Sequence, residues 1–319
     1  MLEAVRSDGL LQRERPVVVL LSGGRDSTCL LDLAVEIAGV DAIAVLHVNY
    51  GLRPGAAEGD ERHCHELAAG FGVPLHVHRP QRPETGNVQA WARAARYEKA
   101  RELAAPRGAD IAAGHTATDQ VETILYRLAS SPSRRALLGM RPREGALIRP
   151  LLRFTRAETA AHCAARGLGW REDESNVSDA YARGRIRADL VPALRAVHPA
   201  AEENVLALAE LLRDEASVLD ALVDEVLGDE AAIELVRLRA LPPALRRLVV
   251  QRLADAAAGR PAPGTARRAE EIAALPEAGA AALDLPHGVR AIAERGRLRF
   301  VRRTAPVDRP PRDTNLLID

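Results

Sequence analysis

Two short stretches carry the side chains best suited to chemistry. The first is Ser22-Gly23-Gly24-Arg25-Asp26-Ser27, which directly follows the apolar run Val17 to Leu21. Its glycines let a backbone turn tightly and approach a ligand closely. A helix opening at Asp26 would aim its unpaired N–H groups, and the positive end of its dipole, back at those glycines. That arrangement is an anion site, and phosphate is the anion it usually takes. The second stretch is His115-Thr116-Ala117-Thr118-Asp119-Gln120-Val121-Glu122-Thr123. Asp119 and Glu122 have the spacing that puts two carboxylates on one face of a helix. They could hold Mg²⁺ beside a nucleotide, receive a substrate amine, or only complement the helix dipole.

Such side chains need a scaffold that brings strand ends together. Val17 to Leu21 reads as a buried strand and Cys29 to Ile37 as a helix. Strands then follow at Asp41 to Asn49, Pro74 to His78 and Asp110 to Gly114. Helices alternate with them at Glu58 to Phe71, Val88 to Ala105 and Thr118 to Ala129. The alternation predicts an α/β fold, a doubly wound parallel sheet covered on both faces. Ligands of such sheets bind beyond the carboxyl ends of the strands, so Ser22, Asn49 and His115 are predicted to face one crevice. Ala146 to Leu151 reads as an edge strand. Thr155 to Arg166 reads as a helix with a capping box at Thr155 and Glu158. Glu172 to Ser178 is a polar loop, and Tyr181 to Val197 a basic helix interrupted at Pro192.

The character changes near Pro199. Ala200 to Leu227 is a long amphipathic helix, Leu241 to Ala257 another, and Thr265 to Leu275 a short one. Ala281 to Leu285, Val289 to Ala293 and Leu298 to Val301 read as a small β meander. The expected domains are therefore 1–199, carrying the chemistry, and 200–304, mainly helical, with a disordered tail over 305–319.

Hydrophobic residues make up 47% and charged residues 28%, which is a globular composition, and no apolar run reaches the length of a membrane span. Met1 to Arg15 lacks the apolar centre of a signal peptide. Three scattered cysteines, Cys29, Cys64 and Cys163, fit a reducing cytoplasm. Net charge is zero, but residues 134–156 hold seven arginines, among them Arg153 and Arg156, against the single acid Glu144. That stretch suits a phosphate backbone or a solvated face equally. His76 and His78 share a strand face without a third ligand, so zinc is not expected. Trp91, Tyr97 and Trp170 read as packing residues.

The phosphate loop is not the Gly-Lys-Ser/Thr type, because the one lysine, Lys99, lies elsewhere. It is not the dinucleotide type either, because the third glycine is absent. Ser-Gly-Gly-x-Asp-Ser resembles the pyrophosphate loop of the PP-loop ATPases. Further strings point within that group. His47-Val48-Asn49-Tyr50-Gly51-Leu52-Arg53, Ala92-Arg93-Ala94-Ala95-Arg96-Tyr97, the 115–123 motif, Arg149 to Leu152, Leu168 to Asn176 and Tyr181 to Arg187 occur in order. Together they resemble the motifs of the tRNA(Ile)-lysidine synthetase family in its short form. The C-terminal part is similar only in its helical character. Four positions depart from the family pattern. Thr118 replaces an aspartate, Ser131-Pro132-Ser133 a Gly-Ser-Gly loop, Gly184 an asparagine, and Glu174 a proline.

The resemblance implies a ligase that uses ATP and Mg²⁺ to adenylate the 2-carbonyl of the wobble cytidine of tRNA(Ile) with a CAU anticodon. Free L-lysine would then displace AMP to leave lysidine. It implies that Ser22, Gly23, Gly24, Arg25, Asp26, Ser27, His47, Asn49 and His115 bind the nucleotide, with Asp26 also a Mg²⁺ ligand. It assigns Asp26, Asp119, Glu122 and Arg187 to catalysis. Arg93, Arg96 and Arg183, with Asp119 and Glu122, would bind substrate. The helical second domain would contact tRNA, with no membrane partner, and a homo-oligomer is compatible with the reading. Two alternatives remain open at this point: a PP-loop tRNA thiolase, and a decayed paralogue that binds tRNA or nucleotide without turnover.

Overall fold

In the computed structural model, which describes residues 1–52, 55–131, 134–171 and 182–303, a short helix α1 (Leu2–Ser7) precedes the central strand β1 (Val17–Leu20). All four β1 side chains are buried. Val17 and Val19 join one apolar core, and Val18 and Leu20 join another. Both faces of the strand are covered, so its sequence shows no polar alternation.

From β1 the chain winds through α2 (Arg25–Ala38), β2 (Ile43–Val48), α3 (Ala56–Phe71), β3 (Leu75–His78), α4 (Val88–Ala104), β4 (Asp110–Ala112) and α5 (Ala117–Ser130). Then come α6 (Arg134–Leu137), β5 (Arg143–Glu144), β6 (Leu147–Ile148) and α7 (Arg156–Ala165). The sheet order is β3-β2-β1-β4-β6-β5, parallel except for the β5 edge. One face packs on Leu30, Leu31 and Leu33 of α2, Cys64 and Ala68 of α3, and Cys163 of α7. The other packs on Tyr97, Ala100 and Ala104 of α4. This is the doubly wound α/β fold expected. Lys99 lies on α4, ion-paired with Glu102 at 2.8 Å.

The edge strand expected over Ala146 to Leu151 is shorter. Gly145, at φ +59°, turns the chain into a hairpin, so only Leu147 and Ile148 pair. Arg149, 1% exposed, then fastens the hairpin by donating to the Arg141 carbonyl at 2.6 Å and to Glu144 at 3.2 Å.

After the undescribed residues 172–181, which include the expected polar loop, come α8 (Ala182–Arg185), a π-helical turn Ile186–Leu190 and α9 (Val191–Val197). The interruption expected at Pro192 is that π turn, just before a residue with no N–H to donate. α10 (Ala201–Leu227), β7 (Ala232–Glu234), α11 (Leu235–Ala240), α12 (Pro243–Ala258), α13 (Ala269–Ala273), β8 (Ala280–Leu285), β9 (Val289–Glu294) and β10 (Arg297–Arg302) complete the described chain. The last three strands are the expected meander, and β7, which was not expected, pairs antiparallel with β10.

The described chain divides into two compact units. Met1–Ser130 with Leu138–Ala207 form one, and Ser131–Leu137 with the chain from Leu208 onward form the other. The changeover falls inside α10 rather than before it. Val205 and Leu206 pack with Val121, Leu125, Ile186 and Val191, whereas Val223 and Leu227 join a core with Val249, Val250, Leu253 and Leu298. Residues 304–319, where a tail was expected, lie outside the described chain. Among the described residues no helix is long and apolar enough to cross a membrane.

Candidate active site

Gly23 adopts φ +83°, a region closed to most side chains. A Cβ there would also lie 3.2 Å from Cys64 Sγ and 3.3 Å from His63 Cδ2. Gly24 then caps α2 and, having no side chain, offers the first-turn N–H groups no cap of its own, the geometry of an anion site. Ser27 Oγ donates to the Gly24 carbonyl at 2.9 Å, accepts from the Ser22 N–H at 3.1 Å and lies 3.0 Å from Ser22 Oγ. The Arg171 N–H donates to the Gly23 carbonyl at 2.9 Å. Behind the loop, a Cβ on Gly114 would lie 3.1 Å from the Asp26 carbonyl carbon and oxygen. That glycine lets α2 approach the end of β4. The loop is therefore rigid, and its amides are pre-aimed.

The second half of the site is assembled by α7. Thr155 Oγ1 accepts from the Glu158 N–H at 3.3 Å, and the Glu158 carboxylate accepts from the Thr155 N–H at 2.7 Å, a closed capping box. Arg156, the first helical residue, donates its N–H to Thr118 Oγ1 at 3.3 Å. Thr118 thus has a structural use of its own. The Arg156 guanidinium reaches three carboxylates. Nη2 is 2.5 Å from Asp119, Nη1 is 3.2 Å from Glu122, and Nε is 3.8 Å from Asp26. Arg187 grips Glu122 with two prongs, at 2.7 and 3.0 Å. Asp26 also accepts from Thr159 Oγ1 at 2.5 Å and from Arg25 Nε at 3.3 Å. Asp119 accepts from the Thr116 N–H at 2.9 Å and from its hydroxyl at 2.8 Å.

Burial pushes the Asp119 carboxyl up, but Arg156, His115 and the Thr116 hydrogen bonds outweigh it and hold the group below the usual carboxylate range. Burial likewise works against the charge on Arg156, and Asp119, Glu122 and Asp26 more than restore it. Glu122 is 2% exposed, whereas Asp119, Asp26 and Arg156 are 16%, 20% and 22% exposed. The cluster is therefore open to a ligand on the Asp26, Asp119 and Arg156 side.

The structure thus brings Asp26, Asp119, Glu122 and Arg187 together, and it adds Arg156. Sequence reasoning passed over Arg156 as one arginine of a basic stretch. Its only local signal is the capping box, which makes it the first residue of a helix. The other arginines of that stretch are largely spent internally: Arg143 on Asp110, Arg153 on Asp8, Arg135 on Asp255 and Arg149 within its hairpin.

His47, buried under the loop, lies 2.9 Å from the Leu21 carbonyl through Nδ1 and 3.3 Å from Cys64 Sγ, and its Nε2 meets no hydrogen-bond partner among the described residues. Burial lowers its pKa, against the Leu21 carbonyl and the nearby Glu61 and Asp60, which raise it. Asn49 donates to Glu61 at 2.9 Å and accepts from the Gly51 N–H. Asn49 lines a cavity of about 600 Å³ together with Tyr50, Arg62 and Arg79. His115 follows β4 and is one of the groups that hold the Asp119 carboxyl down. Arg93 and Arg96 stand on α4 with guanidinium carbons 4.8 and 5.1 Å from the Tyr97 ring centre. Arg183 lies on α8, and its side chain is outside the described residues.

The PP-loop domain family model matches residues 2–194. The chain is 38% identical to the tRNA(Ile)-lysidine synthase of Solibacter usitatus over 76% of its own length and 57% of that protein, so it spans little more than half of that relative. It is 36% identical to the tRNA(Ile)-lysidine synthase of Salinispora tropica, over 90% of each chain. The U34-tRNA thiolase NcsA of Methanococcus maripaludis, solved with its [4Fe-4S] cluster, aligns with a TM-score of 0.54 at 17% identity over 66% of this chain and 77% of that one, a likeness of fold. A PP-loop family match over residues 2–194, together with similarity to the Salinispora protein over nine-tenths of each chain, places this chain in the tRNA(Ile)-lysidine synthase family.

Proposed function

We propose that the protein converts the wobble cytidine of tRNA(Ile) with a CAU anticodon to lysidine, at the expense of ATP. The carrying observation is the gathering of Asp26, Asp119 and Glu122 around one guanidinium, beside an uncapped phosphate-binding helix end. The Gly24 to Ser27 turn receives the β- and γ-phosphates, and its N–H groups stabilise the charge of the leaving pyrophosphate. The cytosine 2-carbonyl oxygen attacks the α-phosphate, and the base leaves its stack to reach it. The ε-amine of free lysine then attacks the activated carbon, and AMP departs. Asp119 holds the ammonium and takes its proton, with the Glu122 charge buried behind it, because an ammonium has no lone pair to attack with.

Asp26 offers a hard oxygen donor at the phosphate end, which suits Mg²⁺, an ion that takes few protein ligands and the rest from phosphate and water. Bound there, Mg²⁺ neutralises charge on the departing phosphates. Arg93, Arg96, Arg183 and Arg187 serve phosphate or adenylate contacts. The second unit, whose main segment begins within α10 at Leu208, contacts tRNA. Three unbridged cysteines support a cytoplasmic setting.

The test is mass analysis of nucleosides after incubation with a CAU-anticodon tRNA(Ile) transcript, ATP and lysine. Lysidine is the expected product, and unchanged cytidine overturns the reading. ATP–pyrophosphate exchange that depends on tRNA reports the first step separately.

A further inference from the structure

We infer that Arg156 reads the α-carboxylate of the amino-acid substrate by exchanging Asp119 for it, which makes the site selective for a free amino acid over a simple amine. The inference rests on the lysine-ligating reading above.

The contacts of Arg156 are unequal. Its bond to Asp119 is short, at 2.5 Å, its bond to Glu122 longer, at 3.2 Å, and Asp26 stands off at 3.8 Å. Glu122 does not depend on it, because Arg187 already holds that buried carboxylate with two prongs. Asp119 would keep two donors from Thr116 if Arg156 turned away. The backbone beneath Arg156 is pinned by Thr118, the Thr155 capping box and the bond from Thr159 to Asp26. The guanidinium can therefore reorient on a fixed base, within the exposed side of the cluster.

An amine entering this cluster meets a carboxylate whose oxygen is already occupied. A diamine that displaces Arg156 leaves a half-buried guanidinium without its anion, which is costly. A free amino acid carries an ammonium and a carboxylate on one molecule. The ε-ammonium of lysine takes the released Asp119 oxygen, and its α-carboxylate takes the reoriented guanidinium fork, so one internal pair becomes two cross pairs. The fork geometry of arginine suits a carboxylate in a way that a lysine side chain would not.

The experiment compares lysine with its decarboxylated counterpart, cadaverine, as nucleophile in the complete tRNA, ATP and enzyme reaction, with kcat/KM read for each. The wild type is expected to favour lysine by about 10- to 100-fold, the range of one charge-assisted pair. Arg156→Met is expected to bring the ratio near one, mainly through the KM for lysine. Arg156→Lys is expected to keep part of the preference, and it decides the matter if the Met variant is silent with both amines. A ratio unchanged in the active variants, with both amines weakened alike, overturns the inference and leaves the lysine-ligating reading standing. Equal use of both amines by the wild type also overturns it. A wild type that forms no lysidine at all sinks the underlying reading first.

Discussion

Thr159 Oγ1 donates a 2.5 Å hydrogen bond to the Asp26 carboxylate, joining the helix that carries Arg156 to the phosphate-loop helix. Along the same interface His162 Nε2 meets Asp32 at 2.7 Å, and Arg166 reaches both Asp32 and Glu36. Asp32 is 1% exposed, so these partners hold a carboxylate that water cannot. The helix after the Ser22 to Ser27 loop and the helix that carries Arg156 are thereby locked in register.

Thr159→Val keeps the shape and removes that donor. It is expected to cost about 1 to 2 kcal/mol of stability, the scale of a lost hydrogen bond to a charged group. ATP–pyrophosphate exchange should fall while tRNA binding persists. A thermal melt paired with the exchange assay checks both, and unchanged exchange would detach Thr159 from the positioning of Asp26.

Asp119→Asn is expected to abolish lysidine formation while tRNA is still bound. The amide cannot accept a proton from the amine, and it no longer carries the charge that anchors Arg156. Wild-type turnover by this variant, measured by nucleoside mass analysis, would remove Asp119 from the mechanism.

Gly114→Ala places a methyl group 3.1 Å from backbone atoms of Asp26, which cannot step aside as a side-chain tip can. Overpacking of that kind costs about 1 to 3 kcal/mol. The KM for ATP should rise in the exchange assay, with a lowered melting temperature. A fully active enzyme would show that α2 does not need its close approach to β4.

The depressed Asp119 carboxyl gives the protein a pH signature. Its folded value lies below the reference of 3.8, so its stabilisation is complete above that reference and is lost as pH falls through the lower folded value. Arg156→Met takes away the largest favourable charge and raises the folded value. Acid unfolding followed by circular dichroism should therefore begin at higher pH in the variant than in the wild type. Superimposable acid limbs would contradict the assigned cause.

Local signals made the phosphate half of the site legible. Two glycines, two hydroxyls and an apolar run are contiguous, and each acts within a few residues, as the bonds among Ser22, Gly24 and Ser27 show. The capping box at Thr155 was legible for the same reason. The place of Arg156 was not, because its partners lie in α2 and α5, far off in sequence, and only packing of α7 brings them near. β7 escaped notice because three residues carry no period, and its strand character comes from pairing with β10. The short β6 was over-read because Ala146 to Ile148 is apolar and Leu151 prolongs the hydrophobic impression, although Arg149 and Pro150 interrupt it and the chain turns away after Ile148.

Lys99 on α4, tied to Glu102, is the sole lysine in 319 residues. Arginine supplies the remaining positive charge, so the chain offers succinimidyl esters and other amine-directed reagents a single side-chain address. That address sits on the helix layer across the sheet from α2 and α7. A fluorophore or surface tether attached there would sit on the α4 side of the sheet, away from α2 and α7.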